Sequence, residues 1–428
     1  MPARRLLLIT YPWPPMPTVG ANRWTALARH LARFDIDTDV LTTRAFGSLP
    51  DDSRNGVFRA GDLVGNRRLR SILRRPDLPV AGTPADIDTP PPVALTAVVP
   101  PDMYAVSWGP AALRRALAIV DHRRPDVLVS TSPYESTHLI ALAVAKRTGL
   151  PWIADFRDGW TFEAHRRPFP LALQRRADAA MERAVARRAD VILAATLPIA
   201  EDFRDRLGAS AVHVSNAWDP DLDAEVDATA ADLLTPGRLS LVHTGRLNGG
   251  WRSTPRSPTA FMEGLKLAVR SDPALHERFE VVLASRLDSA EAALLATADT
   301  LDGVVRHVGE LSRGEAIALQ RAADALLLIT SRNVGEATGK LFEYLGSGRP
   351  VLALAEGNEA ARIVTATGTG VCVPPDDPTR IAAALADLVA GRITESFAPH
   401  DLDTYVQPGP ARAVAEQVER AIELRRRD

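Results

Sequence analysis

Apolar runs of four to seven residues alternate with segments of helical periodicity, first across residues 4–194 and again across 239–390. In the first stretch, Arg4–Thr10, Thr38–Thr42, Asp126–Thr131, Trp152–Phe156 and Val191–Ala194 read as strands. Asn22–Phe34, Ser136–Thr148 and Leu171–Arg188 repeat apolar residues at helical spacing; in the first of them these are Trp24, Leu27, Ala28 and Leu31. The second stretch repeats the rhythm with strands Leu239–Thr244, Phe279–Ala284, Val304–Val308, Ala325–Ile329 and Val351–Leu354. Its helices are Ser257–Arg270, Arg313–Ala322, Lys340–Gly346, Glu359–Thr365 and Thr379–Ala390. Strand, helix, strand in this rhythm predicts parallel sheets covered by helices on both faces.

Two breaks divide the pattern. Residues 46–101 carry no clear period, and between 76 and 101 prolines recur at 76, 79, 84, 90–92, 100 and 101. Prolines in series cannot build a central strand or a helix, so this segment is expected to be a loop or lid. Residues 219–238 are rich in Asp and Ala and close on Pro236-Gly237, which suits a linker. The 428 residues exceed one ordinary core. The expected division is an N-terminal domain over 1–217, a C-terminal domain over 218–400, and a last helix within 401–428 that packs back on the first domain. That helix, Pro410–Arg427, has Val414, Val418, Ala421 and Ile422 on one face.

Composition removes several chemistries. Net charge is −2, which carries no nucleic-acid footprint. Cys372 is the single cysteine, so an internal disulfide or paired-cysteine zinc site is excluded, and a reducing cytoplasm is the expected setting. The N-terminal apolar run ends at Ile9, short of a signal peptide, and no segment approaches the ~20 apolar residues of a membrane span. Among the Asp-x-Asp spacings are Asp35–Asp37, Asp37–Asp39, Asp86–Asp88 and Asp401–Asp403, none of which follows an apolar strand. No His-x-x-x-His pair, Gly-x-Ser-x-Gly elbow or Walker loop is present. No metal or cofactor is expected. Arg67–Arg75, basic with Leu69, Ile72 and Leu73 on one helical face, suggests either a solvated helix or peripheral membrane contact.

The densest chemical signal is Gly335-Glu336-Ala337-Thr338-Gly339-Lys340-Leu341-Phe342-Glu343-Tyr344, followed by Gly348-Arg349-Pro350 and a strand. A small-residue loop leaves the 325–329 strand and opens a helix near Gly339. Free N–H groups and the dipole there favour an anion such as a diphosphate. Lys340 in the first turn opposes the dipole unless a phosphate lies between them. Glu343, one turn on, could accept from both hydroxyls of a ribose. A plain loop and helix with a surface Lys–Glu pair is the alternative from local chemistry.

This segment resembles the donor-binding signature of family 4 glycosyltransferases of the GT-B fold, in particular a bacterial subgroup with a Gly-Lys-Leu-Phe-Glu-Tyr core. The resemblance implies two Rossmann-like α/β domains facing a central cleft. It assigns the ribose to Glu343, the donor sugar to Glu336 across six intervening residues where the family usually has seven, and the diphosphate to Lys340. Thr338, Gly339 and Leu341 would line the donor. His243-Thr244-Gly245-Arg246-Leu247 resembles the family's Gly-Arg-Leu turn, which places Gly245 and Arg246 at the diphosphate; the lysine usual after that turn is replaced by Arg252 or Arg256. His307-Val308-Gly309-Glu310-Leu311 resembles the turn along the base pocket, adding Val308 and Gly309. Asn216-Ala217-Trp218-Asp219-Pro220 resembles the opening of the interdomain linker.

On the acceptor side, Asp155-Phe156-Arg157-Asp158-Gly159-Trp160 looks like the subgroup's Asp-Phe-Arg-Asp-Pro-Trp, implicating Asp155, Arg157 and Asp158. A buried Asp–Arg pair that fixes the loop is the alternative. The Pro12–Asn22 loop resembles a glycine-containing acceptor loop, with Gly20 and Asn22 as candidates. Ser130-Thr131-Ser132-Pro133 stands where many relatives carry a histidine. The implied activity is retaining, hexosyltransferase-type transfer from a nucleotide diphosphate sugar, UDP-linked first, to a small-molecule, lipid-linked or glycan acceptor. Lys340, Arg246 and Glu336 are the catalytic candidates. A sugar-nucleotide epimerase or pseudo-glycosyltransferase on the same fold, and a non-catalytic nucleotide-sugar-binding protein, are the alternatives.

Overall fold

The computed structural model describes residues 3–16, 19–45, 49–63, 99–162, 168–221, 228–247, 258–296 and 301–427. The chain divides into two compact units, Met1–Ser215 with Gln407–Asp428, and Asn216–Val406. The first holds seven strands: β1 (Arg4–Ile9), β2 (Ile36–Thr43), β3 (Val57–Ala60), β4 (Val127–Thr131), β5 (Trp152–Phe156), β6 (Val191–Ala194) and β7 (Ala211–His213). They form one parallel sheet in the order β3-β2-β1-β4-β5-β6-β7. Leu6, Leu7, Leu8 and Ile9 of β1 are fully buried, as a strand covered on both faces must be. Their period of two sorts them. Leu6 and Leu8 meet Trp24, Leu27, Val414 and Val418 on one face, while Leu7 and Ile9 meet Trp108, Ala112 and Ile140 on the other. The C-terminal helix, Gly409–Arg427, thus completes the core of the first unit.

The second unit is built alike from β8 (Leu239–Thr244), β9 (Phe279–Ala284), β10 (Val305–His307), β11 (Ala325–Ile329), β12 (Val351–Leu354) and β13 (Gly370–Val373), in the order β10-β9-β8-β11-β12-β13. Leu241, Leu283 and Leu327 pack with Leu265 and Leu385 on one face; Val242, Val282 and Leu328 pack with Leu341 and Tyr344 on the other. Local chemistry fixes the helix ends. Ser312 and Glu315 form a reciprocal capping box, Glu315 N donating to Ser312 Oγ (3.3 Å) and Ser312 N to Glu315 Oε2 (2.7 Å). Asn358 caps the Glu359–Ala366 helix by accepting from Ala361 N at 2.9 Å.

One expectation needs correction. Val57–Ala60 lies inside the segment read as a loop or lid, yet it is the edge strand β3, paired in parallel with Val40–Thr43. The serial prolines up to residue 92 and the Arg67–Arg75 segment lie outside the described residues. Among the described residues no helix is long and apolar enough to cross a membrane. Of the Asp-x-Asp residues, Asp39 is buried and spends its carboxylate on Arg123 at 2.9 and 3.0 Å.

Candidate functional site

In the second unit β11 runs into the loop 330–338 and then into the Gly339–Ser347 helix. Thr338 holds the N-cap position in an extended conformation, but its side chain makes no capping bond, and its Oγ1 is buried without a hydrogen-bond partner. Lys340 reaches back from the first turn to the end of β8. Its Nζ donates to the Arg246 carbonyl at 2.5 Å and lies 3.3 Å from His243 Nε2. His243 Nδ1 sits 2.8 Å from the Leu327 carbonyl, which can only accept. That contact sets the tautomer, and Nε2 then offers its lone pair to the lysine. Gly245 stands at the crossing. Its φ is +75°, and a Cβ there would lie 2.8 Å from Lys340 Cε. The positive φ calls for glycine at this turn, and any Cβ there would push the end of the Lys340 side chain aside.

Glu343 follows one turn later with 29% of its side chain exposed. Arg313 Nη2 is 3.8 Å from its Oε1. Burial pushes the Glu343 carboxyl above the usual carboxylate range, while Arg313, a hydrogen bond from Gln320 and the charge of Lys340 pull it back. Gln320, fully buried, also donates to Thr244 Oγ1 at 2.8 Å and so ties the glutamate to the end of β8. Tyr344 makes the matching backbone link, accepting from Thr244 N at 3.1 Å. The structure therefore gathers Gly245, the backbone of Arg246, Lys340 and Glu343 around one helix start. Arg246 itself is half-buried, and Arg252 and Arg256 lie outside the described residues.

The other donor-side candidates differ in their surroundings. Leu341 is fully buried, and its N–H donates to the Thr338 carbonyl at 3.0 Å, which anchors the helix start. Glu336 is half-buried, and its Oε2 accepts from Ser331 N (2.8 Å) and from Ser331 Oγ. Val308 N donates to the Leu283 carbonyl at 3.0 Å, and Gly309 turns the chain away from β10 with φ +84°.

In the first unit Asp155 ends β5 with no exposure. Its carboxylate takes Arg23 Nη2 (2.9 Å), Trp24 Nε1 (2.7 Å) and Thr131 Oγ1 (2.7 Å). It is saturated, and it acts as the pin that holds the Val19–Leu31 helix on the strand ends. The buried Asp–Arg pair thus exists, with Arg23 rather than Arg157 as the partner. Sequence reasoning missed Arg23: it stands one position from Asn22, which is exposed, and its partner is 132 residues away. Gly20 lies in the first turn of the same helix. Arg157 N donates to Ser132 Oγ at 2.9 Å, and its side chain, 24% exposed, lies 3.6 Å from Asp158. Near the Ser130–Pro133 turn a histidine does occur in space, His138, but it belongs to the core. Its Nδ1 meets Ser130 Oγ at 2.8 Å, its ring stacks on Phe156 at 4.3 Å, and burial lowers its pKa to about 3.

Residues 20–216 match the family model of the glycosyl transferase 4-like domain, and residues 257–391 match that of glycosyl transferases group 1. The chain is built from glycosyltransferase domains. Solved structures agree in fold across nearly the whole length. A glycosyltransferase from Rickettsia africae is 11% identical with a TM-score of 0.62, covering 98% of this chain and 99% of its own. Anabaena HepE in complex with UDP is 13% identical with a TM-score of 0.57, covering 99% and 98%. A putative UDP-N-acetylglucosamine 2-epimerase from Listeria monocytogenes is 14% identical with a TM-score of 0.55, covering 99% and 97%. No curated protein matches the sequence. At these identities the likeness shows a shared fold of two Rossmann-like domains. In this glycosyltransferase the group 1 match contains Lys340 and Glu343, and the 4-like match contains Arg23 and Asp155.

Proposed function

We propose that this glycosyltransferase moves a hexosyl group, with retention of configuration, from a UDP-sugar held by the second unit to an acceptor held by the first. The observation that carries the reading is the convergence of Lys340 on the Gly245–Arg246 turn, with Glu343 one helical turn away. Lys340, Arg246 and the first N–H groups of the Gly339–Ser347 helix would neutralise a diphosphate, and Glu343 would accept from the ribose hydroxyls. The acceptor oxygen or nitrogen bonds to the anomeric carbon as the bond to the diphosphate oxygen breaks. The acceptor proton passes to a phosphate oxygen, and the electron pair departs with the nucleoside diphosphate. Cations already in place where that charge develops lower the barrier without reorganisation. The reading calls on no metal, and the lone Cys372 is compatible with a reducing compartment such as the cytoplasm.

A second reading, a sugar-nucleotide epimerase on the same fold, draws support from the likeness to the Listeria protein. Incubation with UDP-, GDP- and dTDP-sugars, followed by mass analysis of products, separates the two. Release of nucleoside diphosphate with sugar found on an acceptor or on water supports transfer. An isomeric nucleotide sugar as sole product would sink it.

A further inference from the structure

An open recess of ≈ 390 Å³ lies in the first unit, lined by Arg44, Asp51, Arg59, Arg114 and Arg115. Its place is set by the fold. Arg44 follows the end of β2, Arg59 lies near the end of the neighbouring β3, and Arg114 and Arg115 come from the Gly109–Arg123 helix. The recess therefore opens at the carboxyl ends of parallel strands, where open α/β sheets bind ligands.

Its charge is unbalanced. Four guanidinium groups share one lining carboxylate. Asp51 is within 3.8 Å of Arg44 Nη2, accepts from Arg115 Nη2, and accepts from the backbone N–H of Arg59 at 2.8 Å. A formal surplus of three positive charges remains (four arginines less one aspartate). Arg59 is the member least suited to a solvated surface. It is only 9% exposed, and its Nε is buried without a hydrogen-bond partner. Nε of Arg115 is in the same condition. Burial holds the Arg59 guanidinium below its ordinary pKa; Asp51 and Asp52 oppose the shift, and Arg44 adds to it. A buried guanidinium with an unsatisfied Nε is costly unless a further acceptor completes it. Arg59 also joins the recess to the candidate acceptor loop, its Nη2 donating to the Pro14 carbonyl at 3.1 Å.

We propose that this recess binds a phosphate group carried by the acceptor, an inference that rests on the transferase reading above. Guanidinium forks match phosphate oxygens in pairs, and several converging forks distinguish a phosphate ester from a neutral hydroxyl compound. The acceptor is then a phosphorylated molecule whose phosphate seats against Arg44, Arg59 and Arg114 beside the loop that follows β1.

The test uses the full chain. Inorganic phosphate and glycerol 3-phosphate are titrated by calorimetry, and sedimentation is measured with phosphatidylcholine vesicles with and without phosphatidic acid. Arg44→Gln/Arg114→Gln is the main variant because both residues are exposed, and an unchanged melting temperature confirms its fold; Arg59→Gln is the second. Wild type is expected to bind a phosphate compound at least tenfold more tightly than either variant, and the part of the signal that the variants remove belongs to the recess. Binding of the soluble esters assigns a soluble acceptor, and binding only to phosphatidic-acid vesicles assigns a lipid-linked one. No phosphate binding in wild type, or undiminished binding in both variants, overturns the proposal. UDP, GDP and dTDP titrated against the same wild-type sample report separately on the transferase reading. UDP binding without variant-sensitive phosphate binding removes only the acceptor-phosphate inference. Phosphate binding with no binding of UDP, GDP or dTDP removes the transferase reading and the acceptor role with it.

Discussion

Glu343 carries opposing influences that make its proposed role measurable. The ribose contact needs the ionised carboxylate, and burial has moved the carboxyl upward. UDP affinity should therefore fall on acidification beginning above the ordinary carboxylate range near 4.3, because protonation removes one acceptor site. Glu343→Gln should weaken UDP about tenfold or more, since hydrogen bonds to a charged group contribute about 1.5–3 kcal/mol, and should flatten the pH dependence. Calorimetric titration of UDP from acid to neutral pH checks both; an unchanged slope in the variant would remove Glu343 from the ribose site. Lys340→Ala should reduce kcat/KM by about 10²–10³, the scale of losing one preorganised charge partner, with little change in melting temperature. Turnover and UDP affinity equal to wild type would exclude Lys340 from the donor site. Both residues were legible in the sequence because their chemistry is local, a cation and a carboxylate three residues apart at a helix start. His243 and Gln320 were not. They act on Lys340 and Glu343 from positions 97 and 23 residues away, and no spacing rule reports such partners.

Among the elements, legibility followed apolar density. β5, β6, β8, β9, β11 and β12 were read from sequence with the bounds the structure gives, since each is a short run of residues almost all of which are buried. β3 was missed because its four residues include Arg59 and follow a polar stretch. The Gly109–Arg123 helix was missed because its buried face is mostly alanine and glycine, which carry little periodic signal. The Gly245 turn tests how far an element boundary governs the site. With φ +75° and Lys340 Cε within 2.8 Å of a would-be Cβ, Gly245→Ala should cost about 1–2 kcal/mol of backbone strain and displace the lysine. The expected outcome is a melting temperature lower by a few degrees together with weaker UDP binding. Wild-type UDP affinity in this variant would show that Lys340 holds its place without the glycine. At β5, Asp155→Asn should be far more costly, about 3–5 kcal/mol in urea unfolding, because Arg23 is left buried against an uncharged partner.

The whole molecule has separate cores in its two units, and its ionisable and ligand-binding groups are divided between them. His138 lies in the first, with a pKa of about 3 against an ordinary 6.5. A lowered native pKa means that the unfolded chain binds the extra proton first. Stability from this group is thus complete above pH 6.5 and is lost as pH falls toward 3, at about 1.4 kcal/mol per pH unit. The proposed UDP site lies in the second unit, where ligand at a hundredfold excess over Kd should add about 2.7 kcal/mol. Calorimetric scans should then show two transitions that answer to different variables. Acidification from pH 7 to 5 should lower the first unit's transition more than the second's, and His138→Gln should reduce that pH sensitivity whatever it does to the melting temperature at pH 7. UDP should raise the second unit's transition, and Lys340→Ala should reduce that rise. A single transition moved equally by proton and nucleotide would mean that the cores unfold as one, and the assignment of each ligand to its own unit would then need binding data rather than melting data.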